Sequence, residues 1–288
     1  MKYIIVSLLL FLFFSCTEEI TIHTDNSDPV VVIYGIITDE LTNQSVKITL
    51  SSPYFDTQPN TGISGARVKI TGSNAETHVF FENDTVPGLY ATKTKWAAKA
   101  GVTYSLNVEV DSDGKNKSYE ASTTILPPII IDSIKIAPID ILGHKNYALN
   151  LYGNEPEGED FYLCKYLVRD SLITTKISRY NMLDDVMFDG QYVNGATLVF
   201  FDSIENREKD TEERRERSIY LNPGDKVELQ MSRVPKGYFE FITGCQREMY
   251  GSNPFFGGPP TNIVTNITNG GAGYFSGYCI SRAEAITP

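Results

Sequence analysis

The sequence predicts a mainly β protein: an immunoglobulin-like β-sandwich over residues 30–125, then a second antiparallel β-rich domain over residues 129–288 with one short helix. Three observations carry this expectation. Apolar and polar residues alternate in runs of strand length. Clusters of Gly, Pro, Asn and Asp separate the runs, with no amphipathic helix between those of the first unit. Finally, 22 Gly, 17 Tyr and 15 Phe favour turns and strands over helix.

The first element, residues 30–38 (VVVIYGIIT), is a dense β-branched run of the kind expected in a buried strand. Residues 46–50, 66–70 and 104–110 alternate, so each is a strand with one face on a core. Asp113-Gly114, at the end of DSDG, supplies the positive φ that a tight hairpin requires. Pro127-Pro128 cannot continue a ladder and marks a domain edge. Beyond it, strands are expected over residues 129–136, 147–151, 161–168, 197–201 and 227–231. The mixed charge run over residues 205–217 reads as a solvated loop or exposed helix. After Pro235, Phe239, Ile242 and Met249 recur at helical spacing, and Gly251 can stop that helix. The tail is rich in Gly, Asn, Pro and aromatics, and residues 274–280 can form a closing strand.

Ahead of the first strand, Lys2 precedes an apolar run over residues 4–14, and Ser15-Cys16 follows at once. That run is shorter than the ~20 residues a membrane-spanning helix needs, so residues 1–15 read as an export signal. A small residue directly before a cysteine at the end of such a signal marks Cys16 as the site of lipid attachment. Several acyl chains, at about 0.8 kcal/mol per buried CH2, hold a protein on a membrane. Residues 16–29 then form a polar tether. With a formal charge of −11, the chain is not expected to bind nucleic acid.

Export also bears on Cys164, Cys245 and Cys279, because exported thiols can pair. Cys164 falls inside an apolar strand pattern and is expected as a buried free thiol, which leaves Cys245 and Cys279 as the natural candidates for a disulfide. No catalytic site, metal site or cofactor is expected. His23, His78 and His144 lie far apart, and no G-x-S-x-G, P-loop or dinucleotide fingerprint occurs. The densest carboxylate cluster is Glu155-Pro-Glu-Gly-Glu-Asp160, where acids on a Pro/Gly loop are expected to face water. The aromatic tail offers Phe255, Phe256 and Tyr274 as candidate ligand or partner contacts. For the two phenylalanines the preferred reading is a plug for the open end of the second core.

Several pieces occur together in order: the export signal and Cys16, then GIITDE from Gly35, SGARVKI from Ser64, Gly88-Leu-Tyr90, Gly101-Val-Thr-Tyr104, Ile131-Asp-Ser-Ile134, the segment from Asn253-Pro-Phe to Ile263, and Gly273-Tyr-Phe275. In this order the chain resembles the Bacteroidota outer-membrane lipoproteins grouped as domain of unknown function four-two-four-nine. Its first unit alone resembles the transthyretin-like or carboxypeptidase-regulatory β-sandwich. The resemblance implies an accessory lipoprotein of the outer membrane, not an enzyme, associated with TonB-dependent transporters. Glu18-Glu19 is similar to the acidic signal that directs such lipoproteins to the outer face. The expected function is therefore a surface-exposed, non-enzymatic binding component of a TonB-dependent nutrient uptake system. The alternative is a carbohydrate-binding or adhesive module that works without a transporter. Its small-molecule or glycan ligand is not legible.

Overall fold

The computed structural model describes residues 29–52, 60–112, 115–251 and 263–288. Among these residues the chain is mainly β, as expected. The first strands are β1 (Val31–Thr38), β2 (Ser45–Leu50), β3 (Arg67–Gly72), β4 (Thr77–Glu82), β5 (Leu89–Thr92), β6 (Thr103–Ser112) and β7 (Lys115–Thr124). The next group comprises β8 (Ser133–Ile141), β9 (His144–Asn154), β10 (Phe161–Val168), β11 (Ser171–Leu172), β12 (Asn181–Asp184) and β13 (Tyr192–Ser203). Helix α1 (Glu212–Arg217), β14 (Tyr220–Leu221), β15 (Lys226–Arg233), α2 (Lys236–Gly251), β16 (Ala272–Tyr278) and β17 (Ser281–Ile286) complete the series.

The first unit is one eight-stranded sheet in the order β16-β1-β2-β5-β4-β3-β6-β7. Neighbours are antiparallel except β1 and β16, which run parallel from Val32↔Ala272 to Thr38↔Tyr278. Alternate residues of each strand turn inward, and Ile33, Ile48, Ile70 and Leu106 are each at most 1% exposed. Each such side chain contributes about 1.5–3 kcal/mol by leaving water. The outer edges of the sheet are tied by the segment before β16. Thr268 donates its amide to the Glu120 carbonyl of β7 at 2.9 Å. Asn266 donates from Nδ2 to the carbonyls of Ser122 on β7 and Phe275 on β16. The sheet thus wraps around a single apolar core.

This arrangement corrects the expected division of the chain. The sandwich over residues 30–125 is not complete in itself, because β16, from the expected second domain, supplies its final strand. β6 and β7 pair as far as Ser112↔Lys115, and the expected turn residues Asp113-Gly114 lie outside the described residues.

The second unit packs two sheets face to face: β11-β10-β15-β17, with β12 also on β10, against β14-β13-β9-β8. Tyr162, Cys164 and Tyr166 of β10 and Leu229 of β15 meet Leu149 and Leu151 of β9 and Phe201 of β13 between them. The ladder of β8 begins at Ser133, not at residue 129; Ile129 is buried beside it without joining it. The expected charge-rich run forms a short turn and the exposed α1, capped by the Thr211 hydroxyl accepting from the Arg214 amide.

Helix α2 lies over the junction. Its Tyr238, Phe241 and Ile242 pack with Phe161 and Leu163 of β10 and with Tyr274 and Tyr278 of β16. Both faces of β10 are therefore covered, which is why its sequence reads as a nearly continuous apolar run.

Candidate functional site

A cavity of about 330 Å³ opens at one end of the second sandwich. Its walls come from Leu151 of β9, Tyr162 of β10, Leu183 of β12, Val193 and Leu198 of β13, and Met231 of β15. They are inward positions of facing strands, so strand periodicity alone makes the lining apolar. Ile130 and Met187 also line it and are 72% and 79% exposed. Glu155, Asp184 and Asp185 bring carboxylates to the same space.

Two connections build this polar end. Residues 155–160 link β9 to β10, and residues 185–191 link β12 to β13. The Glu155 amide donates to the Gln191 carbonyl at 3.0 Å, and the Asp160 amide donates to Asp185 Oδ2 at 2.8 Å. Glu155 Oε1 accepts from the Tyr162 hydroxyl, and its Oε2 accepts from the Gly190 amide, both at 2.7 Å. Asp189 Oδ1 accepts from the Gly158 amide at 2.8 Å. One oxygen of each of Glu155, Asp185 and Asp189 falls within 4.8 Å of the others.

The acids on this loop were expected to face water. Among residues 155–160, Glu157 and Glu159 do so, but Glu155 is 7% and Asp160 3% exposed; on the facing connection Asp185 is 5% exposed and Asp189 is exposed. Asp160 pairs with Arg233 at 2.5 Å. Burial pushes the Asp160 carboxyl up; Arg233 opposes that, and the charges of Asp185 and Asp189 add to it. Burial also raises the Tyr162 hydroxyl well above its ordinary range, with the bonded Glu155 acting in the same direction. Tyr162 therefore stays a proton donor to Glu155. Sequence reasoning singled out residues 155–160 as the densest acidic run but read it as solvated, and it missed Asp185 and Asp189, in LDDVMFDG from Leu183. About thirty residues separate the two acidic segments, and the β10–β12 and β9–β13 pairings bring them together.

The remaining expected site residues fall elsewhere. Cys16, Phe255 and Phe256 lie outside the described residues. Tyr274 is not an accessible contact: it is 8% exposed, with its ring 5.2 Å from that of Phe241 and 5.6 Å from that of Tyr238. Cys164 is a fully buried free thiol, as expected. The structure does not form the Cys245–Cys279 bridge. The two thiols are separate, Cys279 in the core of the first sheet and Cys245 beside the α2 cluster. His78, one of the scattered histidines, stacks on Trp96 at 3.7 Å.

Chemically, the cavity can hold a compact, largely apolar body with a polar or cationic group at the carboxylate end. Its lining contains no histidine, serine or cysteine. Among the described residues, no helix is long and apolar enough to cross a membrane. No curated protein matches the chain. One family does match, over residues 17–284, and the chain belongs to it: the Domain of unknown function (DUF4249).

Proposed function

We propose that the protein is a lipid-anchored, non-enzymatic capture component of the outer membrane, facing the cell exterior and serving a TonB-dependent transporter. The observation that carries this reading is the apolar run that ends at Ser15-Cys16. The family match covers residues 17–284, the part of the chain that follows the proposed leader and Cys16. The apolar cavity supports the binding half, since enclosed apolar space with a few convergent polar groups is the usual form of a small-molecule site. The transporter is what the family resemblance adds to this reading.

The direct test is metabolic labelling with an alkyne fatty acid. The wild-type chain should take up label, and Cys16→Ala should fall to background while retaining its leader. Label remaining on Cys16→Ala would sink the anchor. Proteinase applied to intact cells should degrade the wild-type protein, and complete protection would place it on the inner leaflet. Purification of the native protein in mild detergent should recover a TonB-dependent transporter.

A further inference from the structure

We propose that Glu155, Asp185 and Asp189 form a calcium site at the mouth of the cavity, with Asp160 as the buried acid beside them. The inference does not depend on the lipid anchor or on a transporter. Its first support is charge. Three carboxylates converge within 4.8 Å, two of them buried, and among the described residues no Lys or Arg forms an ion pair with any of the three. Buried like charges require a compensating cation or proton, because the low-dielectric interior disfavours each ionised group.

The second support is independent of that cluster. Asp160 is 3% exposed, and while its Oδ1 is held by Arg233, its Oδ2 is buried without a hydrogen-bond partner. A buried acceptor left this way costs about 1–3 kcal/mol. Asp160 directly precedes β10, and just past the last ladder pair, Phe161↔Asp184, its amide donates to Asp185 Oδ2 at 2.8 Å. Tyr162, two residues on, donates its hydroxyl to Glu155. These contacts set the Asp160 carboxyl beside the acidic cluster, where the charges of Asp185 and Asp189 act on it.

Calcium suits this donor set better than magnesium. It takes six to eight oxygens at ~2.3–2.6 Å in adaptable geometry, whereas magnesium demands an octahedron at ~2.0–2.1 Å. Two oxygens on opposite sides of a calcium ion are roughly 5 Å apart, a span that matches the 4.8 Å grouping. Bound there, calcium would clamp residues 155–160 to residues 185–191 and fix the wall that Asp185 and Phe188 give to the cavity.

The test uses the full chain in mild detergent after chelator treatment. Terbium chloride should give luminescence on tyrosine excitation, since Tyr162 is bonded to a ligand, and calcium chloride should quench it by displacement. The melting temperature should rise with calcium concentration as mass action requires, with a smaller rise for equal magnesium. Asp189→Asn changes the exposed member, so it should keep the calcium-free melting temperature and lose at least tenfold in calcium affinity. Glu155→Gln should lose affinity likewise. Absence of terbium luminescence together with no melting shift at millimolar calcium would overturn the site, as would an undiminished response in both variants.

Discussion

Lys165 occupies the face of β10 that α2 covers, and its surroundings are aromatic. Its Nζ lies 4.5 Å from the Tyr180 ring centre, and 3.4 Å from the Tyr278 hydroxyl. Burial lowers its pKa to about 8, against a small opposing effect of the Glu40 charge. An unfolded lysine titrates near ~10.4, so between pH 8 and 10 the unfolded chain holds the extra proton and stability rises with pH. Below that window the charged group weighs against the fold. Above about pH 10 the hydroxyls of Tyr34 and Tyr278, raised chiefly by burial, reverse the trend. Lys165→Met should therefore be more stable at pH 7 by roughly 2 kcal/mol and lose most of the gain between pH 7 and 9.5. Urea unfolding at the two pH values reads both, and a wild-type midpoint that does not move would show the ammonium to be solvated. A residue like this is hard to find in sequence, where it is one lysine in an apolar strand. The proposal of Cys16 as a lipid site rests on a signal that is local, a run and a junction within sixteen positions. Asp185 and Asp189 gain meaning only from a strand pairing.

At the scale of elements, legibility follows the same division. β10 occupies residues 161–168, the bounds its sequence indicates, because both faces are covered and all but Lys165 and Leu167 are buried. β17 was missed, since its small and charged residues, SRAEAI, carry little apolar contrast. β16 was read as a strand, but nothing local says that it runs parallel to β1, about 240 residues earlier in the chain. One residue does carry the cause. Gly273 has φ +94°, and a Cβ there would sit 2.2 Å from the Ile33 carbonyl oxygen, so the parallel approach of β16 to β1 admits only glycine at this point. Gly273→Ala should cost about 3 kcal/mol or more, combining backbone strain with displacement of β1. Gly101→Ala is the control: its φ is +80° but nothing lies within 4 Å of the added carbon, so only about 1 kcal/mol is expected. Equal melting temperatures for the two variants would mean that β16 does not depend on this contact.

Across the whole molecule, the last strands tie the two units into one cooperative object. β16 completes the first sheet and β17 pairs with β15 of the second, with only Cys279-Ile280 between them. The junction is fixed further where the Ile280 amide donates to Asp39 and the Ser281 hydroxyl donates to the Ile129 carbonyl. Tyr34 of β1 and Tyr238 of α2 share a 3.0 Å hydrogen bond inside the same apolar cluster. A division at Pro127-Pro128 was natural from the sequence, because prolines and composition report chain breaks and not which strands return. Thermal unfolding of the full chain should accordingly show one transition, with calorimetric and van't Hoff enthalpies agreeing. A chain cut to residues 30–125 loses β16 and the segment that closes the sheet, exposing the edge of β1 and the inner face that Phe275 and Ile267 cover. It should fail to give a cooperative transition or dispersed amide signals by NMR. Restoring residues 263–279 by a flexible linker after residue 125 should recover both. A cooperative transition in the unaided 30–125 chain would show that the first sheet folds by itself and that its last strand is dispensable.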